Sequence, residues 1–77
     1  MDDEISLKKI IAAYNPFQYY QIDLSKKIQD RYVPLEFRDS FVDDICNKWN
    51  DIDCTELHNE LFNGIKTGND IITFIND

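Results

Sequence analysis

Cys54 and His58 stand one helical turn apart, and a thiol beside an imidazole is a pairing that can make a nucleophile. No oxyanion-stabilising feature accompanies them, and His58 is the only histidine, so it reads as a partly exposed structural residue. Paired carboxylates can share acid and base work, but the acids here fall on polar helix faces, where nothing would separate their pKa values. The run Asn50-Asp51-Ile52-Asp53-Cys54-Thr55 invites comparison with a calcium loop. Counting from Asp51, it puts Glu56 where the turn glycine is required and Phe62 where the bidentate glutamate is required, so the match fails. One histidine and two cysteines, Cys46 and Cys54, without a CxxC or HxxxH pair do not make a zinc site. Walker, GxGxxG and GxSxG patterns are lacking as well. The expectation is a non-enzymatic chain with no cofactor and no metal.

Charge is the more informative property. Fifteen acids against eight bases leave the 77 residues at −7, which disfavours direct contact with nucleic acid or with anionic lipid. Residues 1–35 are neutral. Residues 36–60 carry Glu36, Asp39, Asp43, Asp44, Asp51, Asp53, Glu56 and Glu60 against Arg38 and Lys48, a net of −6. A surface of that kind speeds association with a basic partner. Glu36, Asp39, Asp43, Asp44, Asp51 and Asp53 are the candidate partner-binding residues. The aromatics at 14, 17, 19 and 20 cannot all face one core, so Tyr19 is the candidate exposed anchor.

These side chains have to be held by one small domain spanning 1–77. Its expected class is all-α, a single compact bundle of four to five short helices. Leu7, Ile10, Ile11 and Tyr14 predict a helix from about Glu4 to Tyr14, closed by Asn15-Pro16. Asn15 then caps a second helix with Pro16 at its first position, and Phe17, Tyr20, Leu24, Ile28 and Tyr32 continue its stripe. Residues 18–22 are rich enough in aromatic and β-branched residues to be a strand instead, and Asp23 could also begin a fresh helix at Leu24. Phe37, Phe41, Ile45 and Trp49 recur every fourth residue and predict a third helix over about Leu35–Asn50. Asp53-Cys54-Thr55-Glu56 has capping-box spacing ahead of Cys54, Leu57, Leu61 and Ile65, with Gly64 or Gly68 to close that helix. Asn69 or Asp70 would cap a last short helix over residues 71–75, a stretch that could also be a strand. The two cysteines read as reduced, half-buried thiols. The acidic start MDDEISLKK is not a secretory signal and no apolar run spans a bilayer, so the expected compartment is cytoplasmic. Abundant Ile, Asn and Lys beside few Ala and Arg suit a low-GC bacterium, its phage or a large DNA virus.

Two stretches carry resemblances. Asn15-Pro16-Phe17 resembles the tripeptide ligand read by EH domains, although a cap, a helix start and a packed ring account for the same residues. Leu61–Ile75, with Gly64-Ile65 ahead of Gly68 and a final apolar segment, resembles the end of sterile alpha motif domains, which implies a protein-interaction module. The function expected from the charge map is that of a small inhibitor, immunity or anti-defence protein. It would lay residues 36–60 onto a basic protein surface, such as that of a nucleic-acid enzyme. The alternative is a structural or oligomerisation module self-associating through an apolar face, so that the chain is a monomer or a homodimer.

Overall fold

The structure is a computed structural model that describes residues 2–76. Four helices follow one another along the chain, α1 (Asp2–Ala12), α2 (Arg38–Lys48), α3 (Cys54–Glu60) and α4 (Gly68–Asn76). Two single-turn 3-10 segments, Tyr19–Gln21 and Leu35–Phe37, complete the regular structure. Only isolated bridges stand in place of strands among the described residues, so the protein is an all-α bundle. α2 packs on α1 and on α3, and α4 packs on α1. One core joins them, built from Leu7 and Ile11 of α1, Phe41, Val42 and Ile45 of α2, Leu57 and Leu61 around α3, and Ile71 of α4.

Leu7, Ile10 and Ile11 of the first stripe and Phe41, Ile45 and Trp49 of the third pack inward as the sequence predicts. α1 stops at Ala12, where Asn15 Nδ2 donates to Ile11 O (2.8 Å) and to Tyr32 O (3.0 Å). Asn15 therefore closes α1 and does not open a second helix. Its Oδ1 accepts from Phe17 N at 3.1 Å, a turn geometry that competes with helix.

The predicted second helix is replaced by an irregular segment from 13 to 34. Asp23 Oδ1 accepts from Ser25 N (2.9 Å) and from Ser25 Oγ (2.6 Å). Asp30 adopts a left-handed φ of 67°. Each of these local bonds and turns breaks the continuous ladder a helix needs, yet Ile22, Leu24, Ile28, Tyr32 and Val33 are still buried. The apolar residues reach the core; the helical period does not. Residues 18–22 hold the 3-10 turn, and 71–75 are helix.

α2 begins at Arg38, later than the predicted Leu35, so Phe37 lies outside it, partly in solvent and with its ring against Tyr14. Asp53 caps α3 as expected, its Oδ1 accepting from Glu56 N at 3.0 Å. Closure after α3 falls to neither glycine. Phe62 takes the left-handed φ of 69° in a turn where Ile65 N donates to Glu60 O at 3.0 Å.

α4 starts with a reciprocal cap, in which Asp70 N donates to Thr67 Oγ1 (3.1 Å) and Thr67 N donates to Asp70 Oδ2 (3.1 Å). Gly68 is the residue that lets the irregular segment close on this helix. A Cβ there would meet the Leu24 side chain at 2.5 Å and its Cα at 3.1 Å. Leu24 O in turn accepts from Asn69 N at 2.9 Å.

Asp70 Oδ2 also accepts from Lys66 N at 3.0 Å, and these backbone bonds hold the Asp70 carboxyl below the usual carboxylate range. A carboxyl whose folded pKa is depressed adds stability that is fully present above its unfolded pKa and is lost as the pH falls through the folded one. Asp70→Ala is expected to cost about 1 kcal/mol at neutral pH. In urea melts repeated from pH 7 to pH 3, the gap between variant and wild type is expected to begin narrowing near about pH 4 and to go on shrinking towards pH 3. A gap that stays constant across that range would refute this role.

The two cysteines are not free. Cys46 and Cys54 form a disulfide with Cα atoms 6.0 Å apart, tying the end of α2 to the start of α3. The reduced pair expected from the sequence is thereby corrected: the chain reverses between the helices and brings residues of separation eight side by side.

Candidate functional site

The acids of residues 36–60 divide into two groups. Glu36, Asp39 and Asp43 form an exposed stripe along the outer side of α2 and its lead-in turn. Asp44, next to them, is half-buried and accepts a hydrogen bond from the Tyr14 hydroxyl at 2.5 Å. Burial and that carboxylate push the Tyr14 pKa well above its ordinary value, so Asp44 is already partnered by a neutral phenol.

Asp51, Asp53, Glu56 and Glu60 belong to the second group. The loop before α3 places Asp51 and Asp53, and α3 presents Glu56 and Glu60 on its exposed side. α4 faces them across a groove. One half, about 290 Å³, is walled by Asp51, Asp53 and Glu56 over Ile52, Phe74 and Ile75. The other, about 330 Å³, shares Glu56 and Phe74 and continues past Glu60 and Ile65 to Asp70. The start of α3 therefore lies beside the end of α4, so the two helices run antiparallel along the groove. Gly64 has no side chain, which leaves space for the Glu60 carboxylate to lie over it.

The two bases of residues 36–60 are placed very differently. Lys48 is exposed at the end of α2. Arg38 turns inward: Nη2 donates to His58 O and to Leu61 O (3.2 Å), and Nε donates to Leu61 O (3.3 Å). Asp39 Oδ1 is 3.6 Å from Arg38 Nη1 and 3.8 Å from His58 Nδ1. His58 thus sits in a structural contact, and the Cys54 sulfur beside it is held in the disulfide.

Tyr19 is exposed, lying beneath Lys9 Nζ (5.3 Å) and edge-on to Tyr20. It is far from neither charge nor solvent, but Tyr20 is the more exposed ring of the two. Phe17 of the Asn-Pro-Phe tripeptide packs edge-on against Tyr32, while Asn15 is fully engaged in closing α1.

Sequence reasoning brings out Asp51 and Asp53 but leaves Glu56, Glu60 and Asp70 outside the candidate set. It also omits the apolar floor of Ile52, Ile65, Phe74 and Ile75. The available signal was the positive one of capping spacing at Asp53–Glu56 and Thr67–Asp70, which orients both helices but not their mutual placement. Among the described residues no three His, Cys, Asp or Glu side chains stand close enough to hold a metal ion. No described helix is long and apolar enough to cross a membrane.

Compared with protein-family models, curated proteins and solved structures, the chain matches none.

Proposed function

We propose that this chain is a non-enzymatic protein-binding module that docks its acidic face, residues 36–60, onto a basic surface of a partner protein. One observation carries the reading: among the described residues Asp39 is the one acid of that stretch in an ion pair, with Arg38 and His58, so exposed Glu36, Asp43, Asp51, Asp53, Glu56 and Glu60 have no cationic partner within the chain. Uncompensated charge of one sign steers a complementary partner and fixes its register. A nucleic-acid enzyme offers such a basic surface where it holds phosphate, and covering it would inhibit the enzyme, as an immunity or anti-defence protein does. The compartment proposed from the sequence is the cytoplasm, whose reducing conditions oppose the Cys46–Cys54 disulfide of the structure; thiol trapping in fresh lysate decides between them, an oxidised pair overturning the cytoplasmic placement.

The docking itself is tested by comparing two baits in an extract of the source cells. One is the chain; the other carries Asp43→Asn, Asp51→Asn, Asp53→Asn and Glu56→Gln. The partner is expected to elute from the first as salt is raised and to be lost by the second. Equal retention with unchanged salt dependence overturns the reading.

Self-association is the second reading, and exposed apolar side chains favour it. Phe17 (44%), Leu35 (56%) and Phe37 (42%) stay exposed, Phe17 edge-on to Tyr32 and Phe37 against Tyr14. Light scattering across a concentration series separates the two, because a monomer at every concentration removes the second reading.

A further inference from the structure

The groove between α3 and α4 is apolar along its base and anionic along its rim. Ile52, Phe74 and Ile75 floor one half, and Ile65 with the shared Phe74 floors the other. Phe74, Ile75 and Ile52 are each only partly buried, because α3 packs on α2 and α4 on α1 while the space between them stays open. Among the described residues no Lys or Arg lines either half. The last turn of α4, whose carbonyls form the negative end of the helix dipole, contains no base and borders the same half as Asp51 and Glu56. Across the groove, backbone donors hold Asp70 in its ionised form.

A neutral apolar segment would bury the floor but strip water from the rim carboxylates without replacing it, which is costly. A purely cationic segment would pair the rim and leave the floor wet. Arginine and lysine satisfy both, since their aliphatic stems cover apolar surface while their heads reach charge.

We propose that this groove is the docking site for a basic segment of a protein partner in which arginine or lysine alternates with aliphatic residues. This deepens the acidic-face reading and rests on it: the partner's basic surface enters here and not along the α2 stripe of Glu36, Asp39 and Asp43. Glu56, shared by both halves, and Glu60 are the carboxylates that meet the cationic heads.

The probe is an amidated octapeptide of alternating arginine and leucine, titrated into the uniformly ¹⁵N-labelled chain at physiological salt. Saturable shifts are expected at residues 51–56, 60–65 and 70–75. The double variant Glu56→Gln/Glu60→Gln, both positions being exposed, is expected to keep the fold and bind about tenfold more weakly. An arginine–serine octapeptide is expected to bind several-fold more weakly than the arginine–leucine one, because it leaves the floor uncovered. Shifts gathered on residues 36–44 with a silent groove overturn the groove while leaving the acidic-face reading standing. So does the absence of saturable shifts, or affinity unchanged in the double variant. The acidic-face reading fails separately, if the partner captured from cell extract is held equally by the chain with its acids neutralised.

Discussion

Phe41→Ala is expected to destabilise the protein by about 3–5 kcal/mol, the range for emptying a fully buried aromatic site. Phe41 has no exposed surface and is the largest fully buried side chain. It meets the Tyr14 ring edge-on at 5.7 Å, and Tyr14, just beyond α1, in turn donates its hydroxyl to Asp44 in the middle of α2. A chain of this length has a total stability on the order of 4–12 kcal/mol at typical values per residue. The variant is therefore expected to be substantially unfolded at 37 °C. Urea unfolding followed by Trp49 fluorescence checks it, with a loss below about 1 kcal/mol refuting the packing account. Phe37→Ala, four residues earlier on the same sequence stripe, serves as the internal contrast: it is expected to cost less than half as much, because Phe37 is already 42% exposed.

That contrast shows what an i, i+4 pattern can and cannot convey. Phe37, Phe41, Ile45 and Trp49 share a spacing, and the spacing locates α2 and its inward face. It says nothing of where the first hydrogen bond of the helix forms, and the 3-10 turn at Leu35–Phe37 swings Phe37 outward. Between residues 13 and 34 the same pattern misleads. Leu24, Ile28 and Tyr32 are buried as a stripe would require, but the Asn15 and Asp23 side chains bond the backbone locally and Asp30 turns the chain in a left-handed conformation, and these outcompete the helix.

The acidic character of the candidate site is legible because charge is carried by residue type alone. The groove is not, since it depends on α4 returning antiparallel beside α3. That return is set by Gly68 admitting Leu24 and by Ile28 N donating to Lys66 O at 2.9 Å, contacts between segments some forty positions apart. The disulfide belongs to the same class of feature: two cysteines eight residues apart pair only if the intervening loop reverses the chain.

Arg38 gives the sharpest separation between a residue counted as charge and a residue placed in a fold. As charge it is one of two bases among eight acids, interchangeable with Lys48. In place, its side chain is only 20% exposed and its guanidinium serves His58 O and Leu61 O, carbonyls at the C-terminal end of α3 that have no partner within the helix. Removing it leaves those acceptors unsatisfied and takes a cation from the negative end of a helix. Arg38→Ala is expected to cost about 2–3 kcal/mol, while Lys48→Ala, which makes the same change in net charge, is expected to cost less than about 1 kcal/mol. Arg38→Lys is expected to recover less than half of the loss, because a single ammonium cannot reach both carbonyls as a planar fork does. Urea unfolding of the three variants at one salt concentration decides the matter, and equal losses for Arg38→Ala and Lys48→Ala would refute it. The consequence reaches the groove. With the end of α3 unheld, Glu60 and the turn carrying Gly64 and Ile65 lose their fixed position opposite Asp70. Arg38→Ala is then expected to weaken the arginine–leucine peptide at residues 60–65 while adding to, not subtracting from, the net negative charge of the protein.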